Sequence, residues 1–441
     1  MVKIVKTVNI IGAGLAGCEA AYQLLKRGYS VKLFEMKPVK FSPAHKNPNF
    51  AELVCSNSLK SDLLASAGGL LKQELREMDS LLISCADKCR VPAGSALAVD
   101  REEFAEIVTK ELKKFDNLEI INGEVTDLDI TQPIIIATGP LTSDNLSRSI
   151  AKLLKEQHLY FYDAIAPIVL ADTINFSRAF VADRYDKGDG DYINCEMNKE
   201  EYDAFYNELI AAKTVELKEF EKMVVYEDCM PVEVLAKRGY KSLLFGPLKP
   251  VGLTNPRTGR YPYAVAQLRA EHNIKDSYNM VGFQTNLTFG EQERVFKLIP
   301  ALKDATFSRF GVMHRNTYVN APKVLNKFFQ LKEYDNIFIA GQLSGVEGYV
   351  ESIASGLVCG INISRHLERK NLIFFTCDTI IGGLQNYLES ADIDKFQPMG
   401  ANMGLLKGLD RYIKNKAEKN NLLAVKSINF IKGIVKAENL C

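Results

Sequence analysis

Three groups of residues in this chain have types and spacings that could do chemistry. The first is Gly12-Ala13-Gly14-Leu15-Ala16-Gly17, a GxGxxG run, with Glu35 about twenty residues on. Such a run cradles a pyrophosphate: the first glycine makes a tight turn, the second admits the phosphates to the backbone, and the third lets helix pack on strand. Glu35 then accepts a ribose hydroxyl. The second group is the nine cysteines, whose thiolates are nucleophiles when activated. The third is a basic run. From Val234 to Ala270 there is no acidic residue, while Lys237, Arg238, Lys241, Lys249, Arg257, Arg260 and Arg269 give a local charge of +7, interleaved with Tyr240, Phe245, Tyr261 and Tyr263. Basic side chains neutralise phosphates and aromatics stack exposed bases, so the run reads as a surface for RNA, with Arg257, Arg260 and Arg269 on phosphates. A lysine-rich tail from Leu405 to Leu440 is read either as an extension of that surface or as a solvated helix.

The elements that must position these residues can be read from the pattern. Residues 7–12 read as a buried strand, 15–27 as a helix with Gly28 at its end, and 30–35 as a second strand. That order is a βαβ unit of a parallel sheet. A helix over 101–115, an apolar strand over 133–139 ending in Ala137-Thr138-Gly139, a strand from Ile337 to Ala340 and a helical run to about 368 extend the same lobe. Between about 180 and 310 short strand-like runs alternate with charged helical ones such as 199–223. The expected fold class is therefore α/β. A Rossmann-like lobe, residues 1–180 and 310–441, is interrupted by an inserted α/β lobe, residues 181–309.

Length and composition limit the alternatives. The 441 residues, 47% apolar and 25% charged, suit one two-lobed domain or two domains. No apolar run is long enough to span a bilayer and no secretory leader opens the chain, so the expected location is the cytoplasm, with no membrane association. Cys85 and Cys89 are four apart, but no second pair stands at ligand spacing, and no metal is expected. The net charge of +1 decides nothing about nucleic acid.

FAD is favoured over NAD. The GxGxxG lies at the N-terminus, Ile134-Ile-Ile-Ala-Thr138-Gly139 resembles the Ala-Thr-Gly strand of two-dinucleotide flavoproteins, and Phe338-Ile-Ala-Gly341-Gln342 stands where such proteins end a strand in Gly-Asp. Gln342 replaces that acid, and its amide can still hydrogen-bond the ribityl chain.

Further blocks carry a family resemblance along nearly the whole chain. They are Phe50-Ala-Glu-Leu-Val-Cys55-Ser-Asn-Ser-Leu59, Val91-Pro-Ala-Gly94 through Ala96-Leu-Ala-Val-Asp-Arg101, Tyr160-Phe-Tyr-Asp-Ala164 and Cys229-Met-Pro-Val-Glu233. Phe245-Gly-Pro through Leu253, Val281-Gly-Phe-Gln-Thr285, His314-Arg-Asn-Thr317 and Gly341-Gln through Ser352 follow. The sequence resembles the bacterial FAD- and methylenetetrahydrofolate-dependent tRNA (uracil-5-)-methyltransferases, flavoproteins akin to the glucose-inhibited division protein. Ser95 departs from the glycine expected there.

The resemblance implies transfer of a methylene from 5,10-methylenetetrahydrofolate to C5 of a uridine, reduction to methyl at the expense of reduced FAD, and recharging of the flavin by NADH or NADPH. It implies Cys229 as the nucleophile that adds to C6 of uracil. Cys55 is a second functional cysteine near the flavin, which shields the reactive methylene or assists proton transfer. FAD falls to Gly12, Ala13, Gly14, Leu15, Ala16, Gly17, Glu35, Thr138, Gly139, Gly341 and Gln342. His314, Arg315 and Asn316 are candidates for the folate. The implied substrate is the T-loop uridine of tRNA, with a ribosomal RNA uridine as the alternative and no obligate protein partner. The larger flavoprotein that installs wobble-uridine side chains lacks the Cys55 and Cys229 blocks. A plain FAD oxidoreductase on a small molecule, from another functional class, would need a nicotinamide site, and no second convincing GxGxxG is present. An RNA-binding flavoprotein without methyl transfer is the last option.

Overall fold

A computed structural model describes residues 6–440 except 43, 156–158, 165, 187–189, 216–229, 272–273 and 411. The first lobe is built on a five-stranded sheet in which every pairing is parallel. Across the sheet the strands run Ile337–Ile339, Ile134–Ile136, Thr7–Ile11, Ser30–Glu35 and Leu118–Asn122. The two Ile-rich strands are fully buried, as strands covered on both faces should be.

The helix Leu15–Leu25 packs on the sheet and against the long helix Tyr349–Leu367. Small residues set that contact. A Cβ on Gly356 would come within 2.2 Å of the Ala16 carbonyl oxygen, and one on Gly360 within 2.8 Å of Gln23 Cβ. This crossing fixes the amino end of the long helix near the glycine-rich turn.

The second lobe has its own apolar core around Tyr202, Phe205, Phe283 and Phe296. Its six-stranded sheet runs Ala179–Val181, Tyr192–Met197, Ala264–Ala270, Ser277–Met280, Ile168–Leu170 and Phe307–Arg309, all antiparallel. The strand Ile168–Leu170, and Ala179–Val181, which straddles the expected boundary at 180, hydrogen-bond into this sheet. A short apolar strand carries no sign of which sheet it joins. A two-stranded ribbon, Leu159–Ala164 against Met313–Tyr318, carries the chain into the second lobe and back.

The expected helices are present with shorter ends. They are Leu15–Leu25 followed by Gly28 at φ +81°, Arg101–Leu112, and Lys199–Ala211, beyond which 216–223 fall outside the described residues. No helix among the described residues is long and apolar enough to cross a membrane. No group of three or more His, Cys, Asp or Glu among them could hold a metal. Cys85 and Cys89 are both buried, the Cys89 thiol donating to the Cys85 carbonyl at 3.2 Å.

One buried carboxylate ties the C-terminal elements to the first lobe. Glu74, on the helix Ala67–Glu77, accepts hydrogen bonds from the amides of Ile380 (2.8 Å) and Ile381 (3.0 Å) and from Ser427 Oγ (2.5 Å). Burial pushes its pKa up to about 7 despite these three bonds. The folded pKa is therefore above the unfolded one, so the neutral acid is the form folding favours. Stability from this group is complete below the unfolded pKa and is lost as pH rises through about 7. We expect a loss on the order of 3 kcal/mol across that interval. In thermal melts from pH 5 to 7.5, Glu74→Gln should lack this decline, so its gap to the wild type narrows with pH. A constant gap would refute the assignment.

Candidate functional site

The three glycines of the GxGxxG do different work. Gly12, closing the strand Thr7–Ile11, has φ +99°, and a Cβ there would lie 2.6 Å from the Ala137 carbonyl oxygen. Gly17 sits inside the helix, where a Cβ would come within 1.8 Å of the Gly12 carbonyl oxygen. A Cβ on Gly14 would meet no protein atom within 4 Å. Folding thus accounts for glycine at 12 and 17 but not at 14. Gly14 instead leaves open space at the amino end of a helix, where an anion is favoured.

Glu35, at the end of its strand and 7% exposed, accepts the amides of Ala13 (2.8 Å) and Lys37 (2.9 Å). Its carboxylate therefore braces the turn at the place where a ribose would lie. Lys37 is buried, its Nζ bonded to the carbonyls of Asn47 (3.0 Å) and Asn49 (2.6 Å) and paired with Glu52 at 3.3 Å. This pins the segment that leads to Cys55.

Two clefts run along the carboxyl ends of the parallel strands, and they share Gly14, His45, Glu52, Ala137, Thr138 and Leu141. Together they form one trough, in the position where open α/β sheets bind ligands. Glu35 and Lys37 line one end; Gly139, Gly341 and Gln342 lie along the other part. Ala13, Leu15 and Ala16 also line the trough. Gln342 donates one N–H to Glu347 at 2.5 Å, which orients the amide and leaves its carbonyl oxygen and second N–H to meet a ligand. Burial lowers the pKa of His45 at the junction, with Lys37 adding to the effect, so the ring is neutral at pH 7 and can bond either way.

Cys55 lies at the far end, half-buried, in a cleft it shares with Gln284 and Asn316 from beyond the first lobe. The loop that carries it is held from both sides. Tyr349 Oη accepts the amides of Cys55 (2.8 Å) and Ser56 (3.1 Å). From the second lobe, Arg269 donates to Asn57 Oδ1 (2.9 Å) and Ser56 Oγ (2.8 Å), and Asn57 donates to the Ala270 carbonyl at 3.0 Å. Arg101 pairs with Glu271 at 2.7 Å, side chains 11% and 3% exposed, and donates to the Leu53 carbonyl at 3.2 Å.

The other sequence candidates fall as follows. Asn316 is buried and lines the Cys55 cleft. His314 and Arg315 are on the same ribbon strand, paired with Asp163 and Tyr162, and their side chains lie outside the described residues. Cys229 also lies outside them. Three residues after it, the Val232 amide donates to the carbonyl of Gln284, a cleft residue, at 2.7 Å.

The basic run divides. Arg260 is exposed, with Tyr261 77% and Phe245 80% exposed nearby in sequence. Arg257 is exposed too, but its guanidinium donates to the carbonyls of Phe176 (2.9 Å) and Ala179 (2.7 Å). Tyr240 and Tyr263 are hydrogen-bonded to each other at 3.1 Å and belong to a tyrosine cluster with Tyr202. Arg269 is 6% exposed and faces Asn57, so it does not look outward as the sequence reading expects. It sits on the strand Ala264–Ala270 inside the second sheet, six of whose seven residues are buried.

Sequence reasoning gave no role to Tyr349, Glu351, Lys60, Arg101 or Glu271. Glu351 is 1% exposed, accepts the Ala401 amide at 2.8 Å and lies 3.7 Å from Lys60; its second oxygen has no hydrogen bond. A charged residue in the otherwise uncharged stretch 350–364 is the signal that could have flagged it.

Comparison with known proteins agrees with this geometry. The family described as Glucose inhibited division protein A matches residues 7–371. The methylenetetrahydrofolate--tRNA-(uracil-5-)-methyltransferase TrmFO of Bacillus subtilis is 54% identical over 431 residues, covering 98% of this chain and 99% of that protein. The chain belongs to that methyltransferase family. The Bacillus licheniformis member is 53% identical over 431 residues with the same coverage, and that of Acetivibrio thermocellus 52% over 428. The family fold is also that of Aquifex aeolicus GidA, which superposes with a TM-score of 0.72 at 16% identity, covering 100% of this chain and 75% of that one.

Proposed function

We propose that this protein is an FAD-dependent methyltransferase that converts a uridine of tRNA, the T-loop uridine, to 5-methyluridine with 5,10-methylenetetrahydrofolate as one-carbon donor. NADH or NADPH restores the reduced flavin. The observation that carries the reading is the continuous trough from the glycine-rich turn to Cys55. It is built for a dinucleotide at one end and brings a thiol to the other.

Gly12, Ala13 and Gly14, at the amino end of the Leu15–Leu25 helix, would hold the pyrophosphate of FAD and Glu35 its ribose, while Thr138, Gly139, Gly341 and Gln342 would line the rest of it. When bound, the flavin supplies the two electrons that turn a transferred methylene into a methyl group. Overall, uridine, methylenetetrahydrofolate and reduced FAD give 5-methyluridine, tetrahydrofolate and oxidised FAD. C5 of uracil is a weak nucleophile. Addition of a Cys229 thiolate to C6 would make an enolate whose C5 attacks the methylene carbon as that carbon's bond to the donor nitrogen breaks; loss of the C5 proton then expels the thiolate from C6. The Val232–Gln284 bond supports this role, since it ties the chain just after Cys229 to the Cys55 cleft. Cys55 serves the one-carbon unit at the flavin. Asn316, in the same cleft, is the best supported of the three folate candidates. The RNA approaches over Arg260 and Tyr261, and we place the enzyme in the cytoplasm with it.

The test is incubation of the purified protein with bulk RNA, labelled methylenetetrahydrofolate and NADH or NADPH, followed by location of the labelled nucleoside. Cys229→Ala should abolish methylation, a drop of roughly 10⁴ or more for a lost nucleophile, while flavin content is unchanged. RNA carrying 5-fluorouridine at the target should trap the wild type covalently at Cys229, because fluorine does not leave as a proton does. An adduct at Cys55 would reverse the two roles.

A further inference from the structure

Tyr349 begins the Tyr349–Leu367 helix and lines the cleft beside Cys55, Gln284, Asn316 and Gln342. A phenol oxygen has two acceptor positions and one proton to give. In Tyr349 both acceptor positions are filled, by the Cys55 amide at 2.8 Å and the Ser56 amide at 3.1 Å. These bonds fix the hydroxyl, since turning it would break one of them. Burial, and then the neighbouring Cys55, push the phenol pKa above its ordinary value, against Arg101 and the two amides. The group is therefore protonated at neutral pH. Among the described residues no atom accepts that proton. Holding the Cys55 loop uses the oxygen only as an acceptor, so the donor half of this group has no structural task. An O–H left unpaired in a partly buried site is costly, and the cleft is where a partner can enter.

We infer that Tyr349 is a hydrogen-bond donor to the ligand held beside Cys55, acting on a carbonyl or imine acceptor at the edge of a planar conjugated heterocycle. The flavin ring and the folate pterin both present that chemistry. The inference rests on the flavin and folate reading above, and the flavin content of the purified wild type tests that reading separately.

Tyr349→Phe removes donor and acceptor together and would disturb Cys55 in either case. The decisive variant is Tyr349→3,5-difluorotyrosine in the full chain with its flavin. Fluorination lowers the phenol pKa. Ionisation removes the donor and strengthens the acceptor, so the two roles respond with opposite sign. Above the ionisation of the fluorinated phenol, kcat should fall about tenfold per pH unit while KM for RNA stays level. The fluorine resonance reports the partner: movement on flavin reduction points to the flavin, and movement on addition of methylenetetrahydrofolate points to the pterin. A resonance unmoved by either ligand, together with a pH profile matching the wild type, overturns the inference and leaves Tyr349 as a positioning residue for the Cys55 loop.

Discussion

Replacing Gly14 by valine is expected to give a folded chain that has lost its flavin. The expectation comes from the contrast among three glycines in one turn. A Cβ at position 14 has 4 Å of clear space around it, so the protein itself does not resist the substitution. The extra methyl groups would occupy the volume from which a pyrophosphate approaches the backbone. Flavin content should drop by roughly tenfold or more, the effect of about 1.4 kcal/mol of lost binding. The melting temperature of flavin-stripped protein should match that of stripped wild type. Gly17→Ala is the control with the reverse outcome. Its Cβ would lie 1.8 Å from the Gly12 carbonyl oxygen, so strand and helix must part. A loss on the order of 4 kcal/mol or more is expected, in the range that marks severe steric conflict. If Gly14→Val bound flavin normally, the trough would belong to something other than a dinucleotide.

Sequence pattern served well wherever function and periodicity coincide. Gly12, Gly14, Gly17 and Glu35 are legible because a helix, two strands and an acid at fixed spacing describe one physical object. The strands at Ile134 and Ile337 are legible because burial on both faces leaves a continuous apolar run. What escaped depends on contacts distant in sequence. Ile168–Leu170 is a strand, and nothing local in its three apolar residues says that its partners are Ser277–Met280 and Phe307–Arg309. Arg101 and Glu271 are 170 residues apart, and each alone looks like a surface charge. Tyr349 was within a recognised block, yet its role appears only when the amides of residues 55 and 56 are seen to end on its oxygen.

Arg269 shows how a charge count misleads, and it yields the second large effect. In sequence it is one of seven cations in an acid-free stretch and so reads as a phosphate contact. In the fold it lies on the strand Ala264–Ala270, 6% exposed, and both its hydrogen bonds run to the loop carrying Cys55. Arg269→Ala removes two bonds from a charged donor, each worth about 1.5–3 kcal/mol. It also leaves the buried side chain of Asn57 without that donor. The Cys55 loop then keeps its Tyr349 and Arg101 ties and the Asn57–Ala270 bond, but loses the charged clamp from the second lobe. A displacement of about 1 Å at a reacting group costs on the order of 10²-fold in rate, and we expect a fall of that size in kcat. RNA affinity should keep its salt dependence, because no phosphate contact has gone. Arg260→Ala should do the reverse. The residue is exposed beside Tyr261, so its removal should lower the log–log salt slope by about 0.7 to 0.9 and leave kcat at saturating RNA unchanged. Measuring kcat and salt slope on the two single variants separates a clamp from a contact. A reduced salt slope in Arg269→Ala with kcat intact would mean that the two lobes part in solution enough to expose this guanidinium to RNA.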